Sequence, residues 1–229
     1  MTIGIIAAMD EEVEFLLENM ADKQETTVAN CLFVEGTLQG KEIVLLKSGI
    51  GKVNAAMATT IMHERFAPSH IINTGSAGGF AKDLEVGDVV ISTQVVHHDV
   101  DVTAFDYAYG QVPGMPAMFA ADTELITIAA KACGGLDIQS KEGIIATGDA
   151  FMEDPKRVAF VNEKFPTMIA AEMEAAAVAQ VCYQYNKPFV IIRALSDIAG
   201  KQSSISFDEF LKKAARNASE LIMTMMKDL

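Results

Sequence analysis

Short apolar runs alternate with amphipathic stretches along the chain, and this alternation predicts strands separated by helices. Most of the strand runs are apolar at consecutive positions, which is typical of strands that are buried on both faces. The predicted strands are Ile3–Ala8, His70–Thr74, Asp88–Val96, Gly143–Thr147, Thr167–Ala171 and Phe189–Leu195. Two further runs, Cys31–Leu38 and Ile43–Lys47, flank Gln39-Gly40 and predict a hairpin.

Helix starts are marked between these strands by residues that favour the first turn. Acids follow the first strand at 10–12, and Asp154-Pro155 places proline at the first helical position. Ser206 and Glu209 have the spacing of a capping box for the last helix. The alternation predicts an α/β fold, in which a largely parallel central sheet lies between helices as a single domain over residues 1–229.

The segment 97–119 does not fit this alternation. It carries Pro113 and Pro116 together with the aromatic residues Phe105 and Phe119. Loops of this length are uncommon in compact domains unless they are functional or lie at an interface. Its aromatic side chains indicate a surface that another molecule covers.

Charge and cysteine content narrow the possible partners. The net charge is −13, with 18 Lys and Arg against 31 Asp and Glu, which argues against binding to nucleic acid or to an anionic membrane surface. The three cysteines are widely spaced and form no metal-binding pair, which favours a reducing cytoplasm. There is no run of about 18 apolar residues that would predict a membrane span.

Acidic side chains follow several of the predicted strands, where ligands bind in folds of this class. Glu12, Glu174 and Asp197 lie at three such strand ends, and Gly75–Gly79 lies at another. Each acid alone could be a helix cap, and the glycines could be only a tight turn. Three carboxylates that converge would repel one another, which shifts their pKa values apart and suits acid–base chemistry such as glycoside cleavage.

Other ligand motifs are not matched. Gly49-Ile-Gly51-Lys52 lacks the spacing and the Ser or Thr of a phosphate-binding loop, and Gly75–Phe80 lacks the dinucleotide fingerprint. His97 and His98 are neighbours directly after a predicted strand, and in extended backbone their side chains should point to opposite faces, so we expect no metal there.

Several motifs together resemble the bacterial 5′-methylthioadenosine/S-adenosylhomocysteine nucleosidases. They cover nearly the whole chain and occur in the family's order, and they are Gly4–Glu12, Ser48–Asn54, Asn73–Gly79, Thr147–Phe151, Ala171–Ala177 and Arg193–Asp197. The resemblance implies the nucleoside phosphorylase fold, in which a mixed, mostly parallel central sheet is flanked by helices, usually as a homodimer. It also implies hydrolysis of an N-glycosidic bond to release adenine, with no metal and no organic cofactor.

The same resemblance implies roles for individual residues. Asp197 would protonate adenine N7 as the general acid, with Ser196 holding it, and Glu12 would activate the attacking water. Glu174 would bind the ribose hydroxyls. The remaining implied contacts are Met9, Ser76 and Arg193 around the water, Met173 beside the sugar, and Ala77, Gly78, Phe151 and Met152 at the purine.

An apolar slot for the 5′-alkylthio group is also implied. Met9, Ile50 and Phe207 would line it from one subunit, and Val102, Phe105 and Pro113 from the partner. Segment 97–119 would then be an arm that completes the neighbouring site, so nucleoside substrates and a second copy of the chain are the expected partners. Expected substrates are 5′-methylthioadenosine, S-adenosylhomocysteine and 5′-deoxyadenosine.

Two alternatives remain open. The first is a purine nucleoside phosphorylase of the same fold, which would need arginine forks for phosphate. The arginines are Arg65, Arg157, Arg193 and Arg216, and only Arg193 lies at a predicted strand end. The second is a nucleoside-binding protein without catalytic activity, which would have little need of Glu12 and Asp197 together.

Overall fold

The computed structural model describes residues 2–136, 138–199, 201 and 203–229, with residues 203–206 described by their backbone alone. The strands are β1 (Ile3–Ala7), β2 (Ala21–Val28), β3 (Cys31–Leu38), β4 (Lys41–Lys47), β5 (His70–Gly79), β6 (Val89–His97), β7 (Phe119–Ala120), β8 (Ser140–Thr147), β9 (Met168–Glu172) and β10 (Phe189–Ile198). The helices are α1 (Asp10–Asn19), α2 (Lys52–Phe66), α3 (Thr123–Gly134), α4 (Pro155–Lys164), α5 (Ala175–Gln184) and α6 (Ser203–Met225).

The strands form one mixed sheet in the order β10-β6-β8-β9-β5-β1-β4-β3-β2, and the short strand β7 pairs additionally with β6. Because β10 also pairs with β5, the strands β5, β10, β6, β8 and β9 close into a ring. Parallel pairings join β1 to β4 and β5, β5 to β10, and β8 to β6 and β9. The predicted mixed sheet between helices is confirmed, and its closure is a feature that strand patterns do not reveal.

Apolar layers lie on the two faces of this sheet. On one face, α1, α3 and α6 pack against residues such as Ile5, Ile72 and Ile192, each fully buried. On the other, α2 and α5 pack against residues such as Phe33 and Ile191. Burial of this apolar surface holds the carboxyl ends of β1, β5 and β10 in fixed positions.

Two strands extend beyond their predicted ends. β5 continues through Gly79 and β10 through Ile198, since the two ends pair with each other at Asp197 and Gly78. The interpretation of Gly75–Gly79 as a tight turn is therefore wrong. A bulge between Leu195 and Asp197 shifts the register at this point, and bulges of this kind re-aim side chains beside functional sites.

Two further differences concern strand β2 and the start of α6. The sequence of β2 is polar and its residues are largely exposed at the sheet edge, so it has no hydrophobic pattern that would predict it. α6 begins at Ser203, so Ser206 lies inside the helix, and the predicted capping box at its start is wrong. The Ser206 side chain itself lies outside the described residues.

The predicted hairpin at Gln39-Gly40 is confirmed, because β3 and β4 pair as antiparallel neighbours. Gln39 and Gly40 both have positive φ angles, 50° and 78°, as a two-residue hairpin turn requires. In the part of the chain that the structure describes, no helix is both long and apolar enough to cross a membrane.

Candidate active site

A cavity of about 310 Å³ opens at the carboxyl ends of β1, β5, β9 and β10. It brings together most of the residues that the sequence singles out. Those in its lining are Met9, Glu12, Ile50, Ser76, Ala77, Gly78, Phe151, Met152, Met173, Glu174, Ser196, Asp197 and Phe207. We call the buried polar residues at the base of this cavity, together with Arg193 beneath them, the floor (Glu12, Ser76, Glu172, Glu174, Arg193, Asp197). We call its apolar entrance the mouth (Ile50, Phe151, Phe207).

Glu12 lies in the first turn of α1 and is 2% exposed. One carboxylate oxygen accepts the backbone N–H groups of Ala8 and Met9, at 2.9 and 3.2 Å. The other accepts the backbone N–H and the hydroxyl of Ser76, at 2.9 and 3.1 Å. The interpretation of Glu12 as a helix cap is therefore correct in part, and the same bonds fix its carboxylate against β5.

Arg193 lies beneath the cavity and not in its lining, and it is 1% exposed. Its guanidinium donates to Asn73 Oδ1 at 2.8 Å, to Thr74 O at 3.1 Å and to Glu172 Oε2 at 2.5 Å. Gly75 lies directly over it at φ 150°, and a Cβ there would overlap the guanidinium. Glycine is required at this position because the backbone must approach both Arg193 and Glu12.

Glu172 is the floor residue whose role the sequence analysis missed. It accepts the backbone N–H groups of Glu174 and Ala175 at 2.9 Å and also a bond from the Thr147 hydroxyl. It therefore caps the start of α5 and pairs with Arg193 at the same time. Its position two residues before Glu174, at the end of an apolar strand, is the only sequence signal, and that signal is equally typical of a simple cap.

Glu174 is buried at the start of α5 and accepts a 2.8 Å hydrogen bond from the backbone N–H of Gly51. Burial, and then the neighbouring Glu172 carboxylate, raise its pKa from an ordinary 4.5 to about 8, although Arg193 at 3.6 Å opposes the shift. The convergence of Glu12, Glu174 and Asp197 on one cavity, predicted from three strand ends, is confirmed.

Asp197 lies in the bulged part of β10 and is 2% exposed. The Ser196 hydroxyl donates to its Oδ1 at 3.0 Å. Its Oδ2 lies so close to Gly78 that a Cβ there would stand 3.1 Å away. Ser196 and Asp197 are strand residues rather than a helix cap, and the bulge directs both side chains into the cavity.

The mouth is apolar and more open than the floor. Ile50 is 50% exposed and Phe151 is 43% exposed. The Phe151 and Phe207 rings meet edge to face with centroids 5.8 Å apart. Asp208, which the sequence analysis did not single out, adds a carboxylate to the lining beside Phe207.

Val102, Phe105 and Pro113 do not line this cavity. They lie in segment 97–119, where Phe105 belongs to a short 3₁₀ helix (Thr103–Phe105) and is 76% exposed. The Tyr109 hydroxyl donates to His98 O, and its ring packs against Phe165. The segment is thus anchored at Tyr109 and presents Phe105 to solvent.

Within the described residues, no group of three His, Cys, Asp or Glu side chains is placed to hold a metal ion. His97 Nε2 lies 3.1 Å from the Gln180 amide oxygen, while the His98 ring is buried against Gly148. Burial lowers the pKa of both histidines. Cys31, Cys133 and Cys182 are buried free thiols.

Known proteins resemble this chain over nearly its whole length. The family model described as the phosphorylase superfamily matches residues 2–227. The 5′-methylthioadenosine/S-adenosylhomocysteine nucleosidase of Anoxybacillus flavithermus is 65% identical over 230 residues, covering 100% of this chain and 99% of the relative. This chain belongs to that nucleosidase family, within the phosphorylase superfamily. The identity and the coverage confirm the predicted family and its enzyme class.

Solved structures of this nucleosidase family have the same fold. The enzyme of Colwellia psychrerythraea in complex with adenine has a TM-score of 0.98 and 48% identity, covering 100% of this chain and 96% of that one. The enzyme of Neisseria meningitidis in complex with methylthio-immucillin-A has a TM-score of 0.97 and 49% identity, with 100% and 99% coverage. The predicted nucleoside phosphorylase fold is confirmed.

Proposed function

We propose that this chain hydrolyses the N-glycosidic bond of 5′-methylthioadenosine and S-adenosylhomocysteine, releasing adenine and the 5-thio-substituted ribose. The observation that carries the proposal is the convergence of the buried Glu12, Glu174 and Asp197 on one cavity. Membership in the nucleosidase family supports the same reaction.

Asp197 is the proposed general acid. As the bond between C1′ and N9 breaks, its electron pair moves into adenine, and Asp197 gives a proton to N7. Its burial in the cavity lining supports this role, and the hydrogen bond from the Ser196 hydroxyl to Oδ1 fixes the orientation of the carboxyl group. Phe151 and Met152 line the side of the cavity on which we place the purine.

Glu12 is the proposed base for the water that attacks C1′. Its two oxygens already accept four hydrogen bonds, which is the capacity of a carboxylate. Water can therefore bind Oε1 only when the Ser76 hydroxyl turns its proton elsewhere. This exchange would place the water between Glu12 and Ser76, above the Arg193 guanidinium, and Glu12 would take its proton.

Glu174 is proposed to bind the ribose hydroxyls, with Met173 beside the sugar. The positive charge that develops on the ribose in an oxocarbenium-like transition state favours an ionised Glu174. A carboxyl whose pKa is about 8 in the free protein would therefore become a stronger partner as the bond breaks. Interactions that strengthen in the transition state are those that accelerate the reaction.

The part of the mouth formed by Ile50 and Phe207 is proposed to take the 5′ substituent, while Phe151 faces the purine. Met9, Ile50 and Phe207 offer only apolar contact, which does not depend on a sulfur atom in the substrate, so 5′-deoxyadenosine is a third proposed substrate.

The free cysteines and the acidic net charge favour a cytoplasmic location.

A homodimer is proposed, in which segment 97–119 completes the mouth of the neighbouring subunit. The exposed Phe105, with Val102 and Pro113 outside this chain's own cavity, supports that role. Sedimentation should give twice the mass of one chain, and Phe105→Ala should raise KM for 5′-methylthioadenosine. An active monomer would contradict the proposal.

Phosphate as the nucleophile is disfavoured by the lining. In the part of the chain that the structure describes, no Lys or Arg lines the cavity, and the Arg193 guanidinium below it is already bonded to Asn73, Thr74 and Glu172. Glu12 would also repel a phosphate dianion.

The test is adenine release from 5′-methylthioadenosine, S-adenosylhomocysteine and 5′-deoxyadenosine in phosphate-free buffer. We expect turnover of the first two at least, and a matched surface variant, Asp83→Asn, should behave like the parent protein. Strict dependence on phosphate would support the phosphorylase alternative instead. Tight binding without adenine release would favour the non-catalytic nucleoside-binding protein.

A further inference from the structure

Three segments of the chain meet behind one wall of the cavity, and a ring of hydrogen bonds joins them. The segments are the start of α2, the residues after β6 and the residues after β8. Lys52 Nζ donates to Asp99 Oδ1 at 2.6 Å, and Asp99 Oδ2 accepts the backbone N–H of Asp149 at 2.9 Å. The Asp149 carboxylate in turn accepts the backbone N–H of Lys52 at 2.8 Å.

This ring is partly shielded from solvent. The Lys52 and Asp99 side chains are 20% and 18% exposed, unlike the open Lys141–Asp83 pair, at 36% and 66%. The Lys52 ammonium and the Asp149 N–H lower the pKa of the Asp99 carboxyl even though its partial burial acts to raise it. Charge-assisted bonds in such a setting hold their geometry better than exposed ion pairs do.

None of Lys52, Asp99 and Asp149 lines the cavity, yet each is close in sequence to residues that do. Gly51, just before Lys52, donates its N–H to Glu174 at 2.8 Å. Gly51 has φ 97°, and a Cβ there would stand 3.2 Å from the Asp149 carboxylate, so the ring also depends on glycine at this position. On the other side, Asp149 is followed by Ala150, Phe151 and Met152, which line the cavity.

We propose that Lys52 and Asp99 are positioning residues, which hold the Gly51 N–H on Glu174 and the 150–152 segment at the purine in one fixed arrangement. The proposal rests on the function proposed above. In this proposal the ring sets the spacing between the ribose-binding wall and the purine-binding wall. The ring therefore affects substrate binding rather than overall stability. Without the ring, substrate binding must itself order the two walls, which weakens affinity.

The test compares Lys52→Met, Asp99→Asn and their double variant with Lys52→Arg. We expect each single variant to raise KM for 5′-methylthioadenosine about tenfold, while kcat changes by less than about threefold. The double variant should be no worse than either single one, because the two residues act through one bond. Lys52→Arg keeps the cation and should recover most of the affinity.

Lys141→Met is the matched control, because it removes an exposed lysine–aspartate pair with a similar 2.6 Å separation. It should leave both kinetic constants unchanged. Calorimetric titration with adenine provides a readout independent of turnover, and its dissociation constant should rise about tenfold in Lys52→Met and Asp99→Asn.

Two outcomes would overturn the proposal. One is an unchanged KM and adenine affinity in both Lys52→Met and Asp99→Asn. The other is a fall in kcat that parallels loss of folded protein while KM stays constant, which would indicate a purely structural pair. If the parent protein binds adenine but releases none from any nucleoside, the proposed function fails, while the adenine titrations still decide the role of the ring.

Discussion

The floor and the mouth of the cavity are built in different ways. Floor side chains are nearly completely buried and bonded to backbone groups or to one another, as in the Glu12, Glu172 and Arg193 contacts. Mouth side chains are apolar and less buried, with Ile50 and Phe151 about half exposed, and the Phe151 ring meets the Phe207 ring edge to face. Fixed hydrogen-bonded geometry is thus found where the glycosidic bond is proposed to break, and an apolar surface is found where the 5′ substituent is proposed to vary.

The largest effect should come from Asp197. Asp197→Asn keeps the volume and removes the proton that adenine N7 needs, so kcat should fall about 10³-fold. The midpoint of thermal unfolding should change little, and adenine should still bind. Turnover near the parent rate would show that the floor does not carry the chemistry.

The next largest effect should be on stability, at Arg193. Arg193→Met leaves Glu172 and Glu174 buried without their cation, which should cost about 3–5 kcal/mol of the free energy of unfolding. Arg216→Met is the control, because Arg216 is 65% exposed and pairs with Glu220 on the surface, where such pairs contribute roughly 0–1 kcal/mol. Urea unfolding of both variants measures the contrast, and equal losses would contradict the description of the floor.

A smaller effect concerns pH. Glu174 has a pKa near 8 when folded and 4.5 ordinarily, so the folded state binds its proton more tightly than the unfolded state does. This contribution to stability is complete below about pH 4.5 and is lost as pH rises to about 8. Glu174→Gln should remove this dependence. The free energy of unfolding of the variant, relative to that of the parent protein, should therefore rise by a few kcal/mol between pH 5 and 9. If the free energies of unfolding of the two proteins changed in parallel with pH, the pKa of Glu174 would not be raised in the folded state.

The smallest effect should come from the mouth. Phe151→Leu keeps an apolar side chain but removes the ring that would stack on adenine, and stacking contributes roughly 1–3 kcal/mol per base. KM should rise about tenfold while kcat stays within about threefold of the parent value. Phe160→Leu, on an exposed ring of α4 outside the cavity, should change neither constant. A collapse of kcat in Phe151→Leu would remove the distinction between mouth and floor.

Much of this arrangement could be predicted from sequence because its signals are local. Consecutive apolar positions identify the core strands β1 and β10, and acids that follow strands identify Glu12 and Glu174. Because β1, β5 and β10 are parallel neighbours, their carboxyl ends lie along one edge, so Glu12 and Asp197 come together there. The position of Glu174 does not follow from this rule, because β9 pairs antiparallel with β5.

The rest depends on partners far away along the chain. The extension of β10 through Asp197 requires pairing with Gly78, and the Glu172–Arg193 pair joins residues 21 positions apart. The polar strand β2 forms because β3 offers it an edge, and nothing in its own sequence predicts it. Lys52 and Asp99 look like ordinary surface charges until folding places them 2.6 Å apart.

Water, rather than phosphate, is the proposed nucleophile at the floor. The direct measurement is turnover of 5′-methylthioadenosine in ¹⁸O-labelled water with excess phosphate present, followed by mass spectrometry of the sugar. We predict one ¹⁸O atom at C1 of the free 5-methylthioribose, with no sugar phosphate formed. A phosphorylated sugar without the label would contradict this account of the site.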